Sequence, residues 1–213
     1  MPMGFTSQAD AQALFDEGIR AAAFLRRGFQ TSFTNVLRGQ TVSGPVAIFD
    51  FRYRTDDPDA FRPADQDWGN HWTEQTVFAF DVRESHFPDF VLGPRRGWLE
   101  RKTSGWLERQ DDPLKGSTIT LGLSSPAIRS IDFPERPEFS SRYELRAVDV
   151  ESVRALFRPD VLDFFGQQPR GKLLQLEKAG NWLLVFREGV VVRTSGLEAA
   201  LEEACQACGL FRG

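Results

Sequence analysis

Residues 46–54 read Val-Ala-Ile-Phe-Asp-Phe-Arg-Tyr-Arg. Phe49, Phe51 and Tyr53 alternate with Asp50, Arg52 and Arg54, the period of two by which a strand buries one face and wets the other. Gly44-Pro45 just upstream marks a turn, so 30–42 is the expected hairpin partner. Downstream, 76–83 (TVFAFDVR) alternates again, with Phe78, Phe80 and Val82 on one side. Antiparallel strands are therefore the organising element of this part of the chain.

Working outward, 7–27 reads as a helix. Ser7 and Asp10 resemble an N-terminal cap pair, Leu14, Phe15, Ala22 and Leu25 share a face, and Gly28 stops it. The stretch 55–72 (TDDPDAFRPADQDWGNHW) is rich in Asp, Pro and Gly and predicts a long exposed connection. Residues 88–113 are irregular, and strands are expected at 117–123 and 139–148. Asp149 then caps a run in which Val153, Leu156, Phe157, Val161, Phe164 and Phe165 recur at helical spacing, with Pro159 splitting it in two. A hairpin follows, 172–177 against 182–187, about Ala179-Gly180-Asn181. A short strand at 190–193 is expected next, then a helix opened by a Ser195–Glu198 capping box and closed by Gly209.

Together these signals predict an α+β fold: antiparallel sheet or sheets, an N-terminal helix, and a C-terminal helix–hairpin–helix unit. One domain over 1–213 is expected, with sub-units at 1–148 (β-rich) and 149–213. Nothing reads as a repeated βαβ unit.

Composition bounds the function. The 213 residues are 41% hydrophobic and 26% charged, a globular balance with ample material for a core. A net charge of −4 argues against bulk electrostatic capture of nucleic acid, and no specific nucleic-acid binding is expected. The 22 Arg against 4 Lys look like coding bias, so arginine abundance alone is no sign of phosphate recognition. The N-terminus carries no secretory pattern and no run is long enough to span a bilayer, so a cytoplasmic location with reduced Cys205 and Cys208 is expected.

Reactive constellations are sparse. Cys205-Gln-Ala-Cys208 matches C-x-x-C but falls at a helix C-terminus, where the dipole disfavours a thiolate. His71 and His86, the two histidines, lack the short ligand spacing of a zinc site. Asp65 and Asp67, in an acidic loop with Asp56, Asp57 and Asp59, begin like a calcium loop; the pattern then fails because Gly69 comes one position early and no Glu closes the frame. No metal site and no cofactor are expected. No nucleophile elbow, P-loop or dinucleotide fingerprint is present.

The internal repeat GWLER, at 97–101 and 105–109, is the stretch best suited to an interaction. Arg95, Arg96, Trp98, Arg101, Lys102, Trp106 and Arg109 combine aromatic rings with cations, as a protein hot spot or a headgroup-level membrane contact would.

The chain resembles an uncharacterised bacterial family of unknown function. The resemblance lies in 35–39 (NVLRG), 46–53 (VAIFDFRY), 74–77 (EQTV), 87–92 (FPDFVL), 137–147 (PEFSSRYELRA), 153–157 (VRALF) and 176–187 ending in NWLLVFR. Members often carry predicted membrane segments before this domain, and none is seen here. The resemblance implies a shared fold and transfers no catalytic residue. The expected function is a non-catalytic binding or regulatory domain whose partner is another protein or a membrane surface. The alternative is a hydrolase-type enzyme using His71 or the acidic loop 56–67.

Overall fold

A computed structural model describes residues 5–7, 19, 22, 29–54, 72–85, 87–95, 128–169 and 173–212. Among these residues nine strands form one antiparallel sheet, in the order β1-β2-β3-β4-β9-β8-β5-β7-β6. They are β1 (Thr6–Ser7), β2 (Phe29–Thr41), β3 (Gly44–Arg54), β4 (Trp72–Asp81), β5 (Phe90–Pro94), β6 (Arg129–Ile131), β7 (Tyr143–Ala147), β8 (Gln175–Ala179) and β9 (Trp182–Phe186). The α-helices among the described residues are α1 (Pro137–Ser140), α2 (Val150–Leu156), α3 (Pro159–Gly166) and α4 (Leu197–Gly209).

This architecture corrects the expected α+β fold. Three of the helices span only 4, 7 and 8 residues, and the sheet dominates. The C-terminal hairpin is no separate unit either: β9 pairs with β4 on one side and β8 pairs with β5 on the other. All five residues of each hairpin strand are buried, which requires partners at both edges and cover on both faces. An N-terminal helix starting at Ser7 is overturned, because Thr6–Ser7 is a strand paired with Leu37–Arg38. Most of the remainder of 7–27 lies outside the described residues.

Smaller corrections have local causes. Phe139 belongs to α1, where Pro137 supplies the fixed φ of a first helical turn, so the strand begins only at Tyr143. Trp72, expected in a loop, opens β4 and lies under the Arg52 guanidinium, 4.2 Å from its ring centre. Residues 190–193 form no strand. Instead the segment crosses β4 at Thr76, whose amide donates to the Val190 carbonyl and whose Oγ1 accepts from the Val192 amide. At Ser195 a short 3-10 turn, Thr194–Gly196, moves the helix cap to Gly196, so no capping box forms. Asp149 does cap α2, accepting from the Ser152 amide at 3.1 Å. The strand expected at 117–123 lies outside the described residues.

The sheet buries two faces. On one, Val46, Ile48, Phe80, Phe90, Leu145 and Val185 meet Val153, Phe157, Phe165 and Leu201 from the helices. On the other, Ala47, Phe49, Phe51, Tyr53, Val77, Trp182 and Leu184 are covered with help from Ile19 and Ala22. Double cover explains why Val46–Phe49 and Gln75–Phe80 are buried without alternation. β2 bends to follow the twist through two irregularities, with Gln30 and Asn35 at positive φ. Asn35 is a residue type that tolerates this conformation, and its side-chain amide ties back to Asp50 at 2.7 Å.

Candidate functional site

The site grows from the end of the second face where β2, β3, β4 and β9 meet. Register places Arg38 opposite Ala47, Ala47 opposite Ala79, and Asp81 opposite Trp182, so these side chains share one face. The methyl side chain of Ala47 leaves depth that a larger residue would fill. The result is an open cleft of about 410 Å³, lined by Arg38, Pro45, Ala47, Asp81, Arg83 and Trp182 among others. Its size is in the range of small-molecule pockets.

Charge in this cleft is organised around Asp81. The Arg83 amide and Nε both donate to Asp81 Oδ1, at 3.1 and 3.0 Å, and Arg83 Nη2 lies 2.6 Å from Oδ2. Burial alone would raise the Asp81 pKa, but the hydrogen bonds from Arg83 and the charges of Arg83 and Arg212 outweigh it and hold the carboxyl below its usual range. Arg212 Nη2 donates to the Asp81 carbonyl at 2.9 Å. Its guanidinium also lies over Gly44, which sits at φ +88 where a Cβ would meet Arg212 Nη1 at 3.0 Å. Among the described residues, Arg83 and Arg212, from two stretches of chain, thus converge on Asp81, and Arg38 lines the same cleft. At the tip of the β2–β3 hairpin, beside this cluster, Val42 is fully exposed.

Other polar groups serve the fold. Asp50 accepts from Asn35 and from Thr76 Oγ1, which in turn anchors the 190–192 crossing. Glu188 accepts from Tyr53 Oη at 3.3 Å and Gln175 Nε2 at 3.2 Å, tying the end of β9 to β3 and β8. Lys178, although 5% exposed, is held by Asp89 and the Gly180 carbonyl. Arg187 pairs with Glu203 of α4 at 2.5 Å. Burial pushes the Tyr143 hydroxyl well above its usual range.

Of the expected interaction residues, only Arg95 is described. It pairs with Asp132, while Arg154 reaches the Asp132 carbonyl at 3.0 Å, so it braces the sheet edge. Arg96, Trp98, Arg101, Lys102, Trp106 and Arg109 lie outside the described residues, as do Asp65, Asp67, His71, His86 and the acidic loop 56–67. Among the described residues no group of His, Cys, Asp or Glu could hold a metal ion. Cys205 and Cys208 are free thiols, Cys208 buried and Cys205 partly so. The cleft residues were missed from the sequence: Arg38 carries no local signal, and only Asp81-x-Arg83 forms a close pair along the chain.

No family model matches the chain, and no curated protein matches it. Among solved structures, the crystal structure of the mycobacterial trehalose monomycolate transport factor A, TtfA, is similar, with a TM-score of 0.54 at 16% sequence identity. The match covers 98% of this chain and 88% of that one. At that identity the likeness is one of fold. No helix among the described residues is long and apolar enough to cross a membrane.

Proposed function

We propose that this chain is a non-catalytic binding domain that acts by surface contact with another protein or a membrane. The observation that carries this reading is the arginine-lined cleft beside the exposed Val42. It gathers positive charge, an aromatic wall and an apolar tip at one rim of the sheet. Arginine and tryptophan are the side chains on which binding energy concentrates in interfaces. The solved neighbour is described as a transport factor, and a contact role here is compatible with that description.

A single domain over 1–213 suits this reading, since one sheet takes strands from both halves of the chain. The cytoplasm is the compartment that suits two free thiols.

The test is capture from the native cell by the full chain carrying a crosslinker near the cleft. The expected result is a recurrent protein or membrane fraction that is depleted when Arg38 and Arg83 are both changed to Gln. Recovery of nothing above background, together with turnover of a small substrate by the purified chain, would overturn the reading in favour of an enzyme.

A further inference from the structure

We infer that Arg212 is the latch of a hinged hairpin: its guanidinium supplies the hydrogen bond that Pro45 withholds from β4. In doing so it sets how far the β2–β3 tip stands from the far wall of the cleft. Gly39, Pro45 and Val46 form the hairpin's side of that cleft, and Asp81, Arg83 and Trp182 the side it faces.

The hinge follows from register. Thr41 pairs with Gly44 across the Val42-Ser43 turn, so the backbone groups of Gly44 face β2 and those of Pro45, one residue on, face β4. β3 and β4 pair Val46 with Phe80, and one step further Pro45 stands opposite Asp81. The Thr76 and Val82 amides donate away from β3, to Val190 and Asn181. Alternation then turns the backbone groups of Asp81 toward β3. A residue with an N–H at position 45 would complete the ladder by donating to the Asp81 carbonyl. Proline has none. The ladder stops one rung short, and the tip turns about Pro45.

Arg212 occupies that rung. Its Nη2 donates to the Asp81 carbonyl at 2.9 Å, and the same guanidinium lies against Gly44, where a missing Cβ leaves it room. Its mounting is rigid. Phe211 is 5% exposed, with its ring centroid 5.5 Å from those of Phe90 and Phe157, and the Leu210 carbonyl accepts from Arg158 Nη2 at 2.8 Å. Ser43 Oγ on the Cys205 carbonyl is a second tie between the tip and α4. Arg212 itself is exposed, within reach of a partner. Displacing this one side chain frees the tip from β4 and widens the cleft while the core stays closed, a local opening rather than an unfolding.

The experiment measures amide hydrogen exchange on the full chain, at Ser43 and Gly44 of the tip and at Phe78 and Val185 of the buried strands. Arg212→Met keeps an apolar stem and removes every donor. It should speed tip exchange about two- to tenfold, the range that one internal hydrogen bond commands, and leave the buried strands unchanged. Pro45→Ala, at an exposed position, restores the ladder donor. In that background Arg212→Met should change tip exchange by less than about twofold. Tip exchange unmoved by Arg212→Met would overturn the latch. Equal acceleration of tip and buried strands would overturn it too, since Arg212 would then brace the whole domain. So would an effect of Arg212→Met that is the same with and without Pro45, because the arginine would then not be serving the missing rung. Loss of the latch in this test would leave the contact reading standing.

Discussion

Ser43 Oγ donates a hydrogen bond of 3.0 Å to the carbonyl of Cys205, across 162 positions of chain. The bond fastens the β2–β3 hairpin tip to the last turns of α4. A carbonyl has two lone pairs, so Cys205 can accept this donor in addition to a helical one. Ser43 is buried while its neighbour Val42 is fully exposed, so the tip is pinned on one side and presented on the other. Ser43→Ala removes the donor and is expected to cost about 1 kcal/mol, the usual net worth of an internal hydrogen bond. Urea denaturation measures this directly. An unchanged midpoint would mean that the tip is held by other contacts.

Phe157 stands where helix and sheet meet. Its ring lies edge-on to Phe90 with centroids 5.3 Å apart, and within 6.2 Å of Phe133, Phe139 and Phe211. Truncation to Ala opens a cavity among rigid rings that cannot collapse into it, and is expected to cost about 3–5 kcal/mol. That is a large part of a domain's usual 5–15 kcal/mol or so. A loss under about 1 kcal/mol in urea melts would show that Phe157 is not a core residue.

The strands at Val46–Arg54 and Trp182–Phe186 were legible because their side chains state their own period or apolarity. Their hairpin partners were legible too, but the pairings with distant strands were not. No local feature of Leu176 or Leu92 tells that β8 pairs with β5, a partner more than 80 residues earlier in the chain. Without that pairing, the closing hairpin looks like a satellite of the flanking helices. Short polar signals misled for a different reason: Ser7 suits a helix cap and a strand edge equally, and only pairing with Leu37 decides between them. The cleft was illegible for both reasons, since Arg38 and Arg83 lie 45 positions apart until the sheet brings them to one cleft.

The Asp81–Arg83 pair makes stability depend on pH. The folded chain holds the Asp81 carboxyl below its usual value, so folding favours the ionised form. Its contribution is therefore complete above the unfolded carboxylate pKa of about 3.9 and is lost as pH falls through the lower folded value. Arg83 is 58% exposed, so solvent screening keeps the effect to at most about 1 kcal/mol. Asp81→Asn should lower stability at neutral pH and flatten the acid limb of the stability profile. An acid limb identical in both proteins would mean that Asp81 carries no differential charge energy.

The two cysteines should differ sharply in reactivity although they lie one helical turn apart. Cys208 is fully buried, and burial pushes its thiol up to about 11, despite Arg212 nearby, which acts to lower it. Cys205 is partly exposed on the same helix. Because the thiolate is the reacting form, a disulfide-exchange reagent at mildly alkaline pH should label Cys205 first in the native protein and Cys208 only on unfolding. Replacing both by Ala should leave the fold intact, since each is a small side chain whose loss removes little volume. Equal labelling rates in the native state would contradict the buried placement of Cys208. A disulfide formed readily between the two under mild oxidation would go further, requiring a redox role that a raised thiol pKa opposes.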